Sequence, residues 1–485
     1  MYLSTKPSVT PFLAFVLAVG QQALAVNDWS VPCIQGRCSW DLPADAGASG
    51  TVQIWGPPFA ISDITIAAGW QITSCDASST TQVIHIVCKD ANPNCDHLFQ
   101  GGVINTIVRL PDNCGPMPFA RVAEHRILSP NSSSLNGRTD EVAVHALALD
   151  TDFTAATSSQ NGNVQFALQG INVNAPLNMR LPARRGHSSV RSPHSSRDEL
   201  HRRDFLTDAL NATTFNRTAE NSKQVDYSGN ANLFNTTINC PVTSHLSSIA
   251  SVSVDVSTDV HATISIGAVA AGTLIPPNIS EFALHIALDS NIDVHFNITA
   301  DILGQISSGD IPLFQMGIPG LTFPGILEIG PEFKVISNID ATFEIANIDA
   351  FVDLSFDLSG VRFVFPPQAS SRMGTFTPGP SRANISASPS LGSTFSAAAH
   401  LIPQFDIELT ALGGSVASTI VFLELDASVD FAVTTGAQLC ENVSTELNVE
   451  VGAESSFLHL FDASVGLSLF DKSFPIWQVR IAMSL

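Results

Sequence analysis

From Ala250 to Ala270 the chain alternates with a period of two. Val252, Val254, Val256, Val260, Ile264 and Ile266 hold one parity, and Ser, Asp, Thr, His and Gly hold the other. The rhythm returns over Phe282–Ile298, Ala341–Ile345, Val352–Leu358, Phe405–Ala411 and Leu425–Val433. No helical i, i+3, i+4 stripe of comparable length competes with it, and antiparallel sheets with one wetted face produce this pattern. Ordinary strands run about 5–6 residues. The stretches therefore predict either very long strands or hairpins whose turns preserve parity. The fold class expected is mainly β, a small disulfide-rich module followed by a long-stranded antiparallel sandwich or barrel-like domain.

Charge divides the chain. Residues 26–179 hold six basic and 13 acidic residues, residues 180–203 hold seven Arg and two acids, and residues 204–485 hold eight basic and 29 acidic residues. The net charge of −22 excludes a nucleic-acid partner, since such binders carry a basic face. At the N-terminus, Lys6, the apolar run Pro11–Gly20 and Ala23-Leu24-Ala25 read as a signal peptide over residues 1–25, with the mature chain starting at Val26. No later stretch reaches about 18 apolar residues and the C-terminus has no apolar tail, so no stable membrane anchor is expected.

Residues 26–125 read as a Cys/Trp-rich module holding Cys33, Cys38, Cys75, Cys88, Cys95 and Cys114 with Trp29, Trp40, Trp55 and Trp70. Their spacing fits no zinc set, and a module this small needs covalent staples, so three disulfides are expected with the pairing left open. Cys240 and Cys440 are then expected to bridge the ends of the large domain. Residues 126–179 are assigned its first strands, residues 180–230 a basic flexible insertion, and residues 231–485 its body, interrupted by irregular stretches at Ile311–Gly330 and Pro366–Ser393. Eight sequons mark candidate glycosylation sites at Asn131, Asn211, Asn216, Asn235, Asn278, Asn297, Asn384 and Asn442.

Several stretches resemble a group of secreted basidiomycete proteins of uncharacterised function: WSVPCIQGRCSWDLP (29–43), AISDITIAAGWQI (60–72), TIVRLPDNCGPMPFARV (106–122), GIPGLTFPGILEIGPEF (317–333) and LFDASVGLSLFDKSF (460–474). The resemblance implies a secreted, two-part protein and no particular reaction. In a secreted fungal-type chain the dibasic pairs ending at Arg185 and Arg203 are candidate kexin-type processing sites. The alternative is an uncut basic loop that docks on the acidic remainder.

Catalytic signatures are missing: there is no H-E-x-x-H, G-x-S-x-G, P-loop or Asp-Thr-Gly, and no cofactor motif. Asp349, Asp353 and Asp357 lie opposite Val352, Leu354 and Phe356 and read as a solvated face, with a strand-borne calcium site as the sharper alternative. If Asp289-Ser290-Asn291 is a hairpin turn, His285 and His295 oppose each other and form a Zn or Cu pair, with Glu281 or Asp293 nearby. On a single strand they are far apart.

Residues 204–485 hold 22 Phe but one Trp and one Tyr, which suits a dry core or an apolar ligand better than a sugar platform. The four N-terminal Trp are the candidate glycan platform, with core packing as the alternative. The function expected is a secreted, non-enzymatic binding or structural protein whose partner is a cell-wall polysaccharide or an apolar small molecule. A membrane-active β-protein and a hydrolase using a carboxylate pair are the alternatives, and oligomeric state is left open.

Overall fold

The computed structural model describes residues 27–89, 95–128, 143–174, 222–240, 248–301, 304–344, 348–366, 373–387, 394–414, 417–435, 438–457, 460 and 467–482. Residues 1–25, read from the sequence as a signal peptide, lie outside these residues, as do Asn131, Asn211, Asn216, Arg185 and Arg203 and the side chains of Cys240 and Cys440.

The N-terminal part supplies β1 (Arg37–Asp41), β2 (Ser49–Trp55), β3 (Ile61–Asp63), β4 (Trp70–Ser74), β5 (Gln82–Cys88), β6 (Ile107–Arg109), β7 (Phe119–Leu128), β8 (Val144–Asp150) and β9 (Val164–Ile171). Strands β3-β6-β7-β8-β5-β4 form a six-stranded sheet, antiparallel except between β3 and β6. Three disulfides tie this region: Cys33–Cys38, Cys75–Cys114 and Cys88–Cys95. Val108, Ala120 and Val122 face a small core around Trp70, Ile84, Ile86 and Leu147. Ile61, Ile107 and Phe119 turn the other way and join the main core.

Three strands sit in a different sheet from the one the sequence suggests. β8 falls in the stretch 126–179 that the sequence assigns to the long-stranded domain, but it pairs with β5 and β7 in the small sheet. From the Cys-rich stretch, β2 instead pairs with β9 in the large sheet, and β1 pairs with β2 at its edge. Alternation reports which face is wet; it carries no information about the partner strand.

The long strands are single strands. β10 (Lys223–Cys240), β11 (Ser248–Ile275) and β12 (Asn278–Asp301) run 18, 28 and 24 residues. β10 begins within the stretch read as insertion, where the Gly/Asn-rich run Ser228–Asn232 masks its alternation. β13 (Gly304–Ser307), β14 (Ile311–Gly317) and β15 (Leu321–Phe323) each pair with β16 (Leu327–Phe343). The stretch Ile311–Gly330, read as irregular, thus holds the short edge strands β14 and β15 and the start of β16; edge strands tolerate Pro and Gly because one side of each needs no partner. β17 (Ile348–Phe365) carries β18 (Met373–Pro378) and β19 (Arg382–Ala387) on its free edge, so the Pro/Ser/Gly-rich stretch read as a loop also contains strands. β20 (Thr394–Ala411), β21 (Ala417–Thr435), β22 (Gln438–Ala453) and β23 (Leu467–Ala482) complete the chain.

The nine-stranded sheet runs β1-β2-β9-β11-β12-β17-β18, with β10 also on β11 and β19 on β17. The eight-stranded sheet runs from β13, β14 and β15 through β16-β20-β21-β22-β23. β10 lies beside β14 at one margin and β19 beside β23 at the other, so the curled sheets approach a flattened barrel. Their inward faces share one core. Phe rings fill it: Phe333 packs on Phe405 with centroids 4.8 Å apart, and Phe343 on Phe395 at 5.3 Å.

β9 and β10 lie end to end against the same edge of β11. Ile171 pairs with Gly267, and Lys223 pairs with Ile264. The chain leaves the sheet and re-enters it at neighbouring points.

Candidate functional site

His285 and His295 do not meet. The turn imagined at Asp289-Ser290-Asn291 lies inside β12, so ten residues of extended chain hold the histidines roughly 33 Å apart. Parity could not expose this, because a three-residue turn and a straight strand both keep Leu288, Ser290 and Ile292 on one face. His285 is buried, and that burial pushes its pKa down to about 4. His295 is half-exposed, its Nδ1 bonded to Asp353 and its ring parallel to that of Phe351 at 6.5 Å. Among the described residues no group of three or more His, Cys, Asp or Glu could hold a metal ion.

The aromatic residues separate by role. Trp40 and Trp70 are buried, the half-buried Trp29 lies under the Arg109 guanidinium at 5.2 Å, and the half-buried Trp55 donates its indole N–H to Gln165. The Phe residues that would line a cavity for an apolar ligand pack on one another in the core.

The outward faces carry the chemistry. On the nine-stranded sheet a groove of roughly 290 Å³ crosses β10, β11, β12 and β17. Its walls present Gln224, Asp226, His261, Asp289, Asn291 and Asp357. The register explains the cluster: Asp226 lies opposite His261, His261 opposite Asn291, and Asn291 opposite Asp357. His261 Nδ1 pairs with Asp226 Oδ1 at 2.8 Å, and Nε2 lies 3.4 Å from Asp259. The Asp226 bond, then the Asp259 charge, raise the His261 pKa, so the imidazolium is favoured. Asp349, Asp353 and Asp357 line up on the outward side of β17 as read from the sequence, and Asp353 is spent on His295. Asp226 escaped the sequence reading because β10 did; its signal was the weak alternation of Val225, Tyr227 and Leu233.

The eight-stranded sheet presents a second acidic face. Lys334, Gln404, Glu424 and Glu450 form a lateral row across β16, β20, β21 and β22. Lys334 Nζ donates to Asp406 at 2.6 Å and lies 3.2 Å from Glu332. Burial first, then the charges of Asp426 and Glu450, hold the Glu424 carboxyl above its usual range. His400 pairs with Asp426 at 2.8 Å, and that bond raises its pKa.

Two clusters in the small sheet are legible only in three dimensions. His125 Nε2 and His145 Nδ1 lie 2.9 Å apart, one donating and one accepting, between Phe99 and Trp70. Burial lowers the pKa of both. Asp63, fully buried, accepts from Cys33 N, Thr65 N and Arg109 Nε at 2.7, 2.7 and 2.9 Å.

A family model described as a domain of unknown function (DUF7223) matches residues 224–478. These are the long strands and both acidic faces. No curated protein and no solved structure matches the chain.

Proposed function

The chain belongs to the DUF7223 family of unknown function, and on that footing we propose that it is a secreted, non-enzymatic extracellular protein that binds a cationic polymer of the cell wall along its acidic outward faces. The observation that carries this reading is the groove of Asp226, Asp289 and Asp357 on one face, matched by Glu424, Asp426 and Glu450 on the other. His261 meets Asp226 on the first face and His400 meets Asp426 on the second, but carboxylates stay in excess: residues 204–485 have eight basic residues against 29 acidic. Extended strands repeat their outward side chains about every 6–7 Å, a spacing suited to a polymer with a charge on successive units. A deacetylated glucosamine chain meets that description. The close-packed Phe core speaks for the polysaccharide over an apolar small molecule.

The test is co-sedimentation with a deacetylated glucosamine polymer, its acetylated neutral counterpart and a neutral glucan. Retention on the cationic polymer alone, lost as salt rises past physiological strength, supports the reading. The triple change Asp226→Asn, Asp289→Asn, Asp357→Asn weakens it further. Equal retention on the neutral polymers, or none on any, overturns it.

A hydrolase reading has one observation in its favour: Glu424, held above the usual carboxylate range, lies directly across the ladder from Glu450. Release of reducing ends from a wall glucan, abolished by Glu424→Gln, would move the assignment there.

A further inference from the structure

Asn297 on β12, Phe351 on β17 and Asn384 on β19 form one lateral row, each directly opposite the next. Asn297 and Asn384 each begin a sequon, Asn297-Ile298-Thr299 and Asn384-Ile385-Ser386. The two sequons are in register: Thr299 pairs with Asp349, and Asp349 with Ser386. Both Asn side chains are exposed. Between them stands Phe351, 43% exposed. Among residues of β10–β23 whose side chains are described, it is the one large apolar side chain left open to solvent.

We propose that Asn297 and Asn384 are a paired glycosylation site whose first sugars cover Phe351. The inference rests on the secreted reading above. Two strand spacings set the Asn residues about 9–10 Å apart, with the ring midway. Directly opposed residues have Cβ atoms roughly 4.5–5.5 Å apart, so a sugar on either amide reaches the ring with its apolar C–H face. On the ring's other flank, His295 lies parallel to it and is held there by Asp353. In the modifying step the carboxamide nitrogen attacks the anomeric carbon of an N-acetylglucosamine on a lipid-linked pyrophosphate oligosaccharide. The N–C bond forms, the C–O bond to pyrophosphate breaks, the amide loses a proton, and the lipid pyrophosphate leaves. The sugar donor is the co-reactant, supplied by the secretory pathway.

The chain is produced in a eukaryotic secreting host, and glycopeptide masses are read at Asn235, Asn278, Asn297, Asn384 and Asn442, all of them exposed. The expected result is occupancy of both Asn297 and Asn384, with one glycan mass lost on each of Asn297→Gln and Asn384→Gln. The double variant then binds more of an apolar-surface dye, and adding Phe351→Ser returns the signal to the parent level. Should the double variant misfold, endoglycosidase trimming to one N-acetylglucosamine per site gives a second readout: dye binding stays at the parent level. Occupancy at Asn235, Asn278 or Asn442 but not at this pair overturns the inference and leaves the secreted reading standing. No occupancy anywhere overturns both. Full occupancy with dye binding insensitive to Phe351→Ser, or raised by trimming alone, overturns the cover.

Discussion

Replacing Asp63 by Asn removes a charge from a fully buried carboxylate while keeping its shape. Asp63 holds Arg109 by Nε at 2.9 Å and Nη2 at 2.6 Å, and both side chains are nearly closed to solvent. Arg109 also donates to Val31 O at 2.5 Å, and Trp29 lies over its guanidinium. The pair therefore fastens the N-terminal residues 28–33 to the small sheet. Removing one member of a buried, hydrogen-bonded pair leaves the other charge uncompensated, which costs about 3–5 kcal/mol. Asp63→Asn should lower the urea stability of the fold around the small sheet by that amount, read by the emission of Trp29, stacked on Arg109, and of Trp70 in the small core. The double change Asp63→Leu, Arg109→Met should be milder than either single change, because no charge remains buried. A loss below about 1 kcal/mol for Asp63→Asn, or strict additivity of the two sites, would refute the reasoning.

Three further outcomes are expected. His285 is neutral when folded, with a pKa near 4, whereas the unfolded chain takes up its proton near 6.5; stability is therefore fully present above about pH 7 and falls as pH drops through this window, by roughly 3 kcal/mol at its lower end. His285→Gln should flatten that part of the stability–pH curve. Replacing Cys75 and Cys114 by Ala opens a loop with a sequence separation of 39 and should cost roughly 4 kcal/mol by the chain-entropy estimate, against about 2 for Cys33 and Cys38, compared by thermal unfolding. Phe333→Ala, which removes a fully buried ring from against Phe405, should cost about 3–5 kcal/mol by the same measure.

Legibility followed physics. Alternation over 250–298 showed the strands, their wet faces and the inward Phe residues, because a half-buried antiparallel strand writes its environment into every second residue. The three N-terminal disulfides were expected as a set, while their pairing needed coordinates. What failed was partner choice and straightness. β8 alternates as a strand of either sheet would. Asp289-Ser290-Asn291 reads as a turn because its residues favour turns, yet β11 and β17 flank it on both sides and long-range pairing outweighs that local preference. The groove escaped for a related reason: Asp226, His261 and Asp357 are far apart in sequence and meet only through the register of four strands.

The end-to-end placement of β9 and β10 gives β11 the role of a splint. Because Ile171 and Lys223 are held by neighbouring residues of β11, everything spliced between them closes on its own starting point. Doubling the length of such a loop costs only about 0.6 kcal/mol, so the sheet is nearly indifferent to how many residues are inserted there or to their composition. The junction is a natural port: a graft, tag or whole folded module entered between Asn174 and Ser222 would leave every rung of both ladders in place.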